Sequence, residues 1–380
     1  MKQIRVSLAS PVQAYDIKVG RGLLRQIGRE TRRCLGSSSG RVAIISNALV
    51  FDLYGQATVE SLRQNSFAVS YCLMGDGERF KSLDTFEKAL DFLARSRLER
   101  GDAVLALGGG VVGDLAGFAA AVYLRGIALV QVPTTLLAQI DSSVGGKTGI
   151  NLPLGKNLVG AFRQPRVVII DTKTLTTLSE RDLTSGWCEA VKNGATGRRS
   201  LFHQTVRFLS KLREKPTTLQ SPELESLVSS QCAFKAAIVA RDPYEELHRT
   251  DRLSRRILNF GHTVGHAIEA ATGYRRFKHG EAVGYGMLVA GEISKSLGVL
   301  EPSELELLRE AISFCGPLPR TGDLDVQTIL DATGRDKKTM DRHVQWVLLE
   351  KIGKARIVDG REVKPQVLRA SLRAVLRNKN

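Results

Sequence analysis

Short runs of aliphatic and β-branched residues alternate with amphipathic segments through the first half of the chain. Apolar residues recur at helical spacing in Ser82–Ser96 and Val111–Tyr123, which are therefore predicted to be helices. Alternating strands and helices form a mainly parallel sheet through right-handed crossovers, and ligands bind at the carboxyl ends of its strands. The predicted strands are Ile4–Leu8, Arg41–Ser46, Phe67–Leu73, Asp102–Leu107, Ile127–Pro133 and Arg166–Asp171.

The strand pattern fades after Asp171. Residues from Thr172 to about Val326 predict successive helices joined by polar connections, and the remaining stretch is mixed. Because 380 residues exceed one ordinary hydrophobic core, two domains are expected. The pattern predicts an α/β protein with a parallel-sheet domain over residues 1–180, a mainly helical domain over residues 181–380, and a cleft between them.

The charge balance indicates an anionic partner. The chain has 55 Lys and Arg residues against 39 Asp and Glu residues, a formal net charge of +16. Such an excess favours nucleic acid, an acidic membrane surface or a phosphorylated metabolite. Aromatic residues make up only 6% of the chain, so stacking platforms for single-stranded nucleic acid are few.

Cysteine usage and the apolar segments indicate a cytoplasmic protein. The five cysteines are scattered and form neither a disulfide framework nor a CxxC metal pair, which suits a reducing compartment. The first residues lack the uninterrupted apolar core of a signal peptide. The longest apolar stretch, Ala103–Val132, is broken by Asp114 and Arg125, so we expect no membrane span and no membrane partner.

A glycine-rich turn follows the predicted strand at Asp102–Leu107. Gly108–Asp114 reads GGGVVGD and opens a predicted helix. Glycines let the backbone approach a ligand closely, and a helix N-terminus offers free N–H groups to a pyrophosphate. The turn is not a strict GxGxxG motif, so a tight strand–helix turn without a ligand is an equal interpretation. A second loop, Asp76–Lys81, also follows a strand and is open to the interpretation of a simple acidic turn.

A third candidate is the segment from Asp141 to Asn157. It places Lys147, Lys156 and Asn157 among glycines and small hydroxyl residues, which suits an anionic, hydroxylated ligand. Its GGKT sequence is superficially like a Walker A loop, but that motif's first glycine would fall at Asp141, so an ATPase is rejected. We expect a ligand-binding loop here rather than a flexible surface loop.

Three of the six histidines lie close together in the sequence. His262 and His266 are one helical turn apart, Gly273 is a predicted stop for their helix, and His279 begins another helical pattern. Imidazoles at this spacing with a carboxylate from elsewhere are typical of a catalytic zinc site. Thr263 follows His262, so this is not the HExxH motif of a zincin protease. The spacing alone leaves open which two or three histidines bind metal.

Two further charged features have competing interpretations. Glu189 and Lys192 share a predicted helical face, where Glu189 is a candidate carboxylate ligand or one half of an ordinary surface pair. The segment Arg241–Arg256 is dense in charges of both signs, and a solvated loop or exposed helix is the favoured interpretation.

Taken together, these motifs resemble the 3-dehydroquinate synthase family. The resemblance runs from about Asn47 to Gly353 and is strongest over Gly101–Leu178 and Ile257–Met287. Several long motifs in one order make it specific. They are GGGVVGDLAGFAAAVYLRG, QVPTTLLAQIDSSVGGKTGINLPLGKNLVGAF, LNFGHTVGHAIEA, HGEAV and RDKK.

The resemblance implies a homodimeric shikimate-pathway lyase with a Rossmann-like N-terminal domain and a helical C-terminal domain. It implies NAD+ and one divalent metal, Zn2+ or Co2+, bound in the cleft. The implied substrate is a small phosphorylated sugar acid, 3-deoxy-D-arabino-heptulosonate 7-phosphate, and no nucleic acid is involved. The implied reaction comprises transient oxidation, phosphate elimination, reduction, ring opening and an internal aldol closure.

The resemblance also implies a role for individual residues. The implied metal ligands are Glu189, His262 and His279, and the implied catalytic residues are Asp141, Lys147, Lys192, Lys235, Asn259 and His266. Further substrate contacts are Asn157, Arg255 and Lys338, and Arg125 from the partner subunit. The implied NAD+ contacts are Asn47, Asp76, Gly77, Glu78, Lys81, Gly109, Gly110, Val111, Asp114, Thr134, Thr135, Asp141, Ser142, Lys147, Lys156, Thr174, Leu175, Thr176 and Thr177.

The chain departs from the family's usual pattern in a few places. Where family members read AEVIKYG, this chain reads CEAVKNG at Cys188–Gly194. The chain is longer than usual before Arg255, so Arg252 and Arg256 are alternatives, and in RDKK Lys337 is an alternative to Lys338.

Three other functions compete with this one. Related sugar-phosphate cyclases use the same cofactors, and their distinction lies in the substrate pocket. A metal-dependent polyol dehydrogenase shares the two-domain plan but would release NADH and would not need a phosphate-binding set. A basic nucleic-acid-binding module predicts salt-sensitive DNA binding and gives no reason for the glycine turn and the histidine cluster to coexist.

Overall fold

The computed structural model describes residues 14–37, 39–246, 248–338 and 345–376, with the side chains of all of these except 335–338. The predicted strand Ile4–Leu8 and the side chains of Lys337 and Lys338 therefore lie outside the described residues. We refer to residues 14–171 as the sheet region and to residues 180–376 as the helical region.

Six parallel strands form the central sheet of the described chain. They are β1 (Asp16–Gly20), β2 (Arg41–Asn47), β3 (Ala68–Met74), β4 (Ala103–Gly108), β5 (Ala128–Pro133) and β8 (Val167–Asp171), in the spatial order β1-β8-β5-β4-β2-β3. The five predicted strands that lie within the described residues are confirmed. The short edge strand β1 is not among the predicted strands.

Helices cover both faces of this sheet. They are α1 (Ile27–Leu35), α2 (Ala48–Gln64), α3 (Leu83–Arg95) and α4 (Gly110–Val122), of which α3 and α4 match the predicted helices. Neighbouring strand residues point to opposite faces, so Ile44 packs with α1 and α2 while Ile45 packs with α3 and α4. Both faces are buried, which explains why the strands are nearly continuous hydrophobic runs.

The strand order opens a crevice at one end of the sheet. The connection after β2 leads to β3 on one side, whereas β4 lies on the other side of β2. The loops after β2 and β4 therefore diverge, and such a switch point is where parallel sheets bind ligands. Asn47 ends β2 and Gly109 follows β4, so both residues lie at this crevice.

The segment predicted to be a ligand-binding loop is a β-hairpin. Its antiparallel strands are β6 (Lys147–Leu152) and β7 (Gly155–Phe162). The two strands approach closely at Gly149 and Gly160. A Cβ at Gly160 would lie 2.1 Å from the backbone oxygen of Thr148. The glycines and polar residues hide the alternation that normally reveals a strand, so the interpretation as a loop is wrong.

The helical region begins with α5 directly after the sheet. Its helices are α5 (Glu180–Gly197), α6 (Arg199–Glu214), α7 (Pro222–Arg241), α8 (His262–Ala271), α9 (His279–Ser296), α10 (Pro302–Phe314), α11 (Val326–Lys338) and α12 (Pro365–Leu376). A small antiparallel hairpin, β9 (Gln345–Lys351) and β10 (Lys354–Asp359), precedes α12. The largest hydrophobic core lies among these helices and includes Trp187, Phe202 and Phe260. In the described part of the chain, no helix is apolar enough over a sufficient length to cross a membrane.

Helices α8 and α9 pack against each other through glycines. Gly261 precedes α8 with a φ of 80°, a left-handed conformation that glycine adopts without strain. A Cβ at Gly286 of α9 would lie 1.9 Å from the backbone oxygen of Gly261. The helices can cross closely only because these positions lack side chains, and the crossing brings the first residues of both helices, His262 and His279, together.

Candidate active site

A large cleft lies between the carboxyl end of the sheet and the helical region. It has a volume of about 1210 Å³ and is lined by the loops after β2, β4 and β5, by the β6–β7 hairpin and by α5, α7, α8 and α9. The predicted site residues Lys147, Lys192, Lys235, Asn259 and Arg255 all line this one cleft. Sequence positions more than a hundred residues apart therefore meet at a single site.

The three predicted histidines form a cluster at the helical wall of the cleft. One ring nitrogen from each of His262, His266 and His279 lies within 4.8 Å of those of the other two. His262 and His266 lie on α8 and His279 begins α9, as the spacing predicts. Helix α8 ends at Ala271, shortly before Gly273, which confirms the predicted stop.

Glu189 of α5 completes this cluster with a carboxylate. Its Oε1 lies 3.9 Å from His262 Nε2 and 3.7 Å from His279 Nε2. Glu189 is fully buried, and neither of its oxygens accepts a hydrogen bond from the described residues, although Lys192 Nζ lies 2.5 Å from Oε2. A buried carboxylate is costly unless cations compensate it, and Lys192 lies against Oε2 only, so Oε1, which faces the two Nε2 atoms, remains open to a cation. The donor set therefore fits a divalent metal.

The second nitrogen of each imidazole distinguishes the three histidines. His262 Nδ1 lies 3.2 Å from the backbone oxygen of Phe260, and His279 Nδ1 lies 3.1 Å from Glu269 Oε2. An acceptor at Nδ1 holds the proton there and leaves Nε2 free for a metal. In the part of the chain that the structure describes, His266 has no such acceptor.

The protonation of the imidazoles follows from their surroundings. Burial, together with the Lys192 ammonium, lowers the pKa of His262 well below its usual value. Burial and the neighbouring His279 lower the pKa of His266 to about 4. Burial is the largest single influence on His279 and opposes its charged form, but the hydrogen bond to Glu269 and the charges of Glu269 and Glu189 together outweigh it and raise the pKa.

The interpretation of Glu189 and Lys192 as an ordinary surface pair is wrong. The two side chains share a face of α5, as predicted, but they are 0% and 1% exposed. The surface of α5 is itself covered by other helices, which spacing along one helix cannot reveal. Burial opposes the charged form of Lys192, yet Glu189 and Asp141 together raise its pKa, so this lysine stays cationic.

A cationic cluster lies beside the histidines. Lys235 of α7 lies 2.7 Å from Asp141 Oδ1 and donates to the Asp141 backbone oxygen at 2.6 Å. Despite burial, Lys235 and Lys192 hold the pKa of Asp141 well below its usual value. Burial in the cleft, with Arg255 and Lys235 nearby, lowers the pKa of Lys147. This excess of positive charge in a confined space suits a multiply charged anion.

The structure distinguishes among the three candidate arginines. Arg255 is buried, lines the cleft and donates from Nη1 to the backbone oxygen of Gly145 at 2.8 Å. Arg252 has a side chain that is 65% exposed and lies 3.7 Å from Glu350, and neither Arg252 nor Arg256 lines the cleft. The interpretation of Arg241–Arg256 as solvated throughout is therefore wrong at Arg255.

The loops after β2 and β4 form the opposite wall of the cleft. Gly109 precedes α4, and a Cβ at Gly110 would lie 2.9 Å from Ser142 Oγ. Lys81 is buried, and its Nζ lies 2.5 Å from both Asp114 Oδ2 and Asn157 Oδ1. The predicted cofactor residues that line this cleft are Asn47, Asp76, Gly77, Glu78, Lys81, Gly109, Gly110, Val111, Asp114, Thr134, Thr135, Asp141, Ser142, Lys147, Lys156 and Thr177.

A few predicted residues lie away from the cleft. Thr174 and Leu175 are buried members of the 3-10 turn Thr172–Thr177, in which Thr174 Oγ1 donates to the backbone oxygen of Asp171 at 2.8 Å, and Thr176 is exposed. The turn points these two side chains into the core, which the sequence pattern does not show. Arg125 lies on an exposed 3-10 turn outside the cleft.

Two glutamates contact residues of the site although the sequence pattern does not indicate them. Glu245 accepts a hydrogen bond from Asn259 Nδ2 at 3.1 Å and forms an ion pair with Lys147, but its charge-dense segment gives no signal of this. Glu269 is buried and contacts His279 and Lys156. Its position seven residues after His262 places it on the same face of α8, and this spacing was the available signal.

The chain is similar to known 3-dehydroquinate synthases over nearly its whole length. Models of the 3-dehydroquinate synthase N-terminal and C-terminal domains match residues 71–185 and 186–339. A 3-dehydroquinate synthase from Nostoc punctiforme is 40% identical over 375 residues, covering 97% of this chain and 99% of that protein.

Solved structures share the architecture over nearly the whole chain. ValA, a 2-epi-5-epi-valiolone synthase from Streptomyces hygroscopicus subsp. jinggangensis with NAD+ and Zn2+ bound, superposes with a TM-score of 0.85 at 26% identity, covering 98% and 99% of the two chains. A 2-deoxy-scyllo-inosose synthase complexed with carbaglucose-6-phosphate, NAD+ and Co2+ gives 0.82 at 26% identity, covering 95% and 96%. The predicted fold class is confirmed. With both domain models matched and a near full-length relative, the chain belongs to the 3-dehydroquinate synthase family.

Proposed function

We propose that this protein converts 3-deoxy-D-arabino-heptulosonate 7-phosphate to 3-dehydroquinate and phosphate, a carbon–oxygen lyase reaction of the shikimate pathway. The observation that carries the proposal is the meeting of three features in one cleft. A glycine-rich turn, a histidine–carboxylate cluster and a buried cationic cluster all face the same space. Family membership supports the same reaction.

Glu189, His262 and His279 would hold the divalent metal. The two Nε2 atoms face the Glu189 carboxylate, and both Nδ1 atoms lie against acceptors that leave Nε2 free. When bound, the metal supplies a Lewis acid that polarises hydroxyl or carbonyl oxygens of the substrate. The solved neighbours with Zn2+ and Co2+ support a metal of this kind.

The sheet wall would bind NAD+. Gly109 and Gly110 would allow close approach of a pyrophosphate to the first turn of α4, whose first residues line the cleft. When bound, NAD+ supplies the hydride acceptor and donor for a transient oxidation. The proposed protein contribution is to position the nicotinamide against the metal site and to exclude water.

The cationic cluster would bind the phosphate and the carboxylate of the substrate. Lys192 is kept charged by Glu189 and Asp141, while Arg255 presents a guanidinium with fixed orientation. Asn259 and Asn157 add directed hydrogen bonds to hydroxyl groups. His266, whose low pKa keeps it neutral, would donate one hydrogen bond from its ring N–H to a phosphate oxygen and would contribute no charge.

We further propose a homodimer in which Arg125 reaches the partner's cleft. Arg125 lies outside its own cleft, and the neighbouring Val122 and Leu124 are 45% and 41% exposed. Exposed apolar side chains next to an arginine that has no ion-pair partner among the described residues are typical of an interface. Light scattering at working concentration tests this directly: a dimer mass supports the proposal and a monomer mass contradicts it.

The first test of the function measures phosphate release from the heptulosonate phosphate in the presence of NAD+. The assay is run before chelation, after chelation and after Zn2+ is restored. We expect stoichiometric dehydroquinate, no net NADH and activity that depends on the metal. Net NADH without phosphate release would instead indicate a polyol dehydrogenase. Absence of phosphate release from folded, NAD+- and Zn2+-loaded protein would indicate a sibling cyclase with another sugar substrate.

A further inference from the structure

We infer that Glu269 is a positioning residue that holds His279 in the orientation required for metal binding and fixes Lys156 at the edge of the same site. This inference deepens the proposed function and rests on its metal site. Glu269 lies on the same face of α8 as His262 and points into the cleft. Its side chain is only 3% exposed.

Each oxygen of the Glu269 carboxylate has a different partner. Oε2 lies 3.1 Å from His279 Nδ1, and Oε1 lies 2.9 Å from Lys156 Nζ. The carboxylate thus joins the first residue of α9 to strand β7 of the hairpin. A buried carboxylate with one donor on each oxygen holds both partners in a defined geometry.

The contact with His279 fixes the tautomer of this ring. Because a carboxylate only accepts hydrogen bonds, Nδ1 carries the proton and Nε2 presents its lone pair. That Nε2 is the atom that lies 3.7 Å from Glu189 Oε1. The imidazole is therefore held between two carboxylates, one on each nitrogen, and only the Glu189 side leaves a position for a metal.

The other two histidines show why this role falls to Glu269. The Nδ1 of His262 faces a backbone oxygen, that of Phe260, so its orientation does not depend on a side chain. His266 has no hydrogen-bond partner among the described residues. Of the three rings, His279 is the one whose orientation a side-chain substitution can release.

The contact with Lys156 extends the effect to the opposite wall. Lys156 Nζ also lies 3.8 Å from Glu78 Oε1 and 4.5 Å from the centre of the Tyr274 ring. The adjacent Asn157 contacts Lys81, which pairs with Asp114 of α4, at the end of the glycine-rich turn. Loss of Glu269 therefore removes the ion pair that joins Lys156 to α8.

The inference is tested by Co2+ binding to the metal-depleted full-length protein, measured by chelator competition and by the visible absorption of bound Co2+. We expect Glu269→Ala and Glu269→Gln to lower Co2+ affinity by about 10- to 100-fold, the size typical of losing such an outer partner. Glu269→Asp, which keeps the charge, is expected to recover part of this affinity. An altered Co2+ spectrum in Glu269→Gln would report a changed ligand geometry.

The matched control is Glu292→Gln. Glu292 is another buried glutamate of the helical region, but it pairs with Arg309 and Lys295 and lies outside the cleft. We expect this variant to change thermal stability while Co2+ affinity stays within about twofold of the wild type. If both glutamate variants weaken Co2+ binding equally, the effect is general destabilisation and the inference is wrong.

The contact with Lys156 is tested by a double-mutant cycle on NAD+ affinity. We expect Glu269→Ala and Lys156→Met each to weaken NAD+ binding, and the double variant to add little to either. Full additivity would overturn this half of the inference. Wild-type Co2+ affinity and spectrum in Glu269→Ala and Glu269→Gln would overturn the other half.

These outcomes are separable from failure of the proposed function. Wild-type protein that binds Co2+ but releases no phosphate would refute the reaction, while the Glu269 measurements would still decide the inference. Retention of Co2+ by His279→Ala at wild-type affinity would show that His279 is not a ligand, and the inference would fall with it.

Discussion

The two walls of the cleft differ in the kind of group that they present to a ligand. The sheet wall, at the ends of β2 and β4, exposes backbone where side chains are missing, as at Gly109 and Gly110, and carries an ion pair between the buried Lys81 and Asp114. The helical wall is built from buried charged and polar side chains, such as Glu189 and Lys192. A backbone surface that a ligand can approach closely is specified by a short glycine-rich segment. A cluster of buried charges forms only where several helices pack together.

The energetic consequences of the two walls also differ. A glycine turn costs mainly conformational entropy, about 0.5–1 kcal/mol per residue. Each buried ion on the helical wall costs several kcal/mol in desolvation and is stable only with its partners in place. The helical wall is therefore the part of the site in which removal of one side chain should have the largest effect.

The largest effect is expected from His262→Ala. Loss of this proposed nitrogen ligand should lower turnover by about 1000-fold, because metal stabilisation of developing charge contributes several kcal/mol. Metal content measured on the purified variant should fall, while NAD+ affinity should stay near that of the wild type because the sheet wall is intact. Full metal content with near-normal turnover would remove His262 from the ligand set.

An intermediate effect is expected when the two arginines at the end of the charge-dense segment are compared. Arg255→Ala should raise the KM for the phosphorylated substrate by about 10- to 100-fold, since it removes charged hydrogen bonds in a buried place. Arg252→Ala should change KM by less than about twofold, because its ion pair is exposed. Steady-state kinetics on both alanine variants measure the two KM values, and Arg255→Lys tests whether a cation at this buried position keeps the protein folded. If Arg255→Ala and Arg252→Ala raised KM equally, Arg255 would have no special role in substrate binding.

The smallest effect is expected on the sheet wall. Gly110→Ala places a Cβ 2.9 Å from Ser142 Oγ, so we expect NAD+ affinity to fall by about tenfold with metal content unchanged. Gly322→Ala is the control, because a Cβ there meets no atom within 4 Å. Isothermal titration with NAD+ compares the two variants. If Gly110→Ala also depleted the metal, the two walls would not act independently.

Much of the sheet region could be predicted because its information is local. Strands β2, β4 and β8 are continuous hydrophobic runs, and such runs between helical patterns indicate buried parallel strands. The β6–β7 hairpin could not be predicted in the same way, because only glycine fits at positions 149 and 160, where the two strand backbones lie close together. That approach depends on a partner strand and leaves no periodicity in the sequence.

The candidate site shows the same division. The spacing of His262 and His266 predicts their shared helix, and the resemblance to the family implies Glu189 as their companion. The burial of Glu189 and the contacts of Glu269 and Glu245 could not be predicted, because each depends on which elements pack around it.

The sequence by itself determined the alternation of strands and helices, the positions of the glycine-rich turn and the histidine pair, and the family. These are properties of spacing within one element, where the backbone period places side chains on a known face. Only the tertiary structure decided that Arg255 rather than Arg252 enters the cleft, that Glu189 and Lys192 are buried, and that Glu269 joins His279 to Lys156. The physical reason is that burial and charge pairing are set by neighbours distant in sequence, and a single element does not specify them.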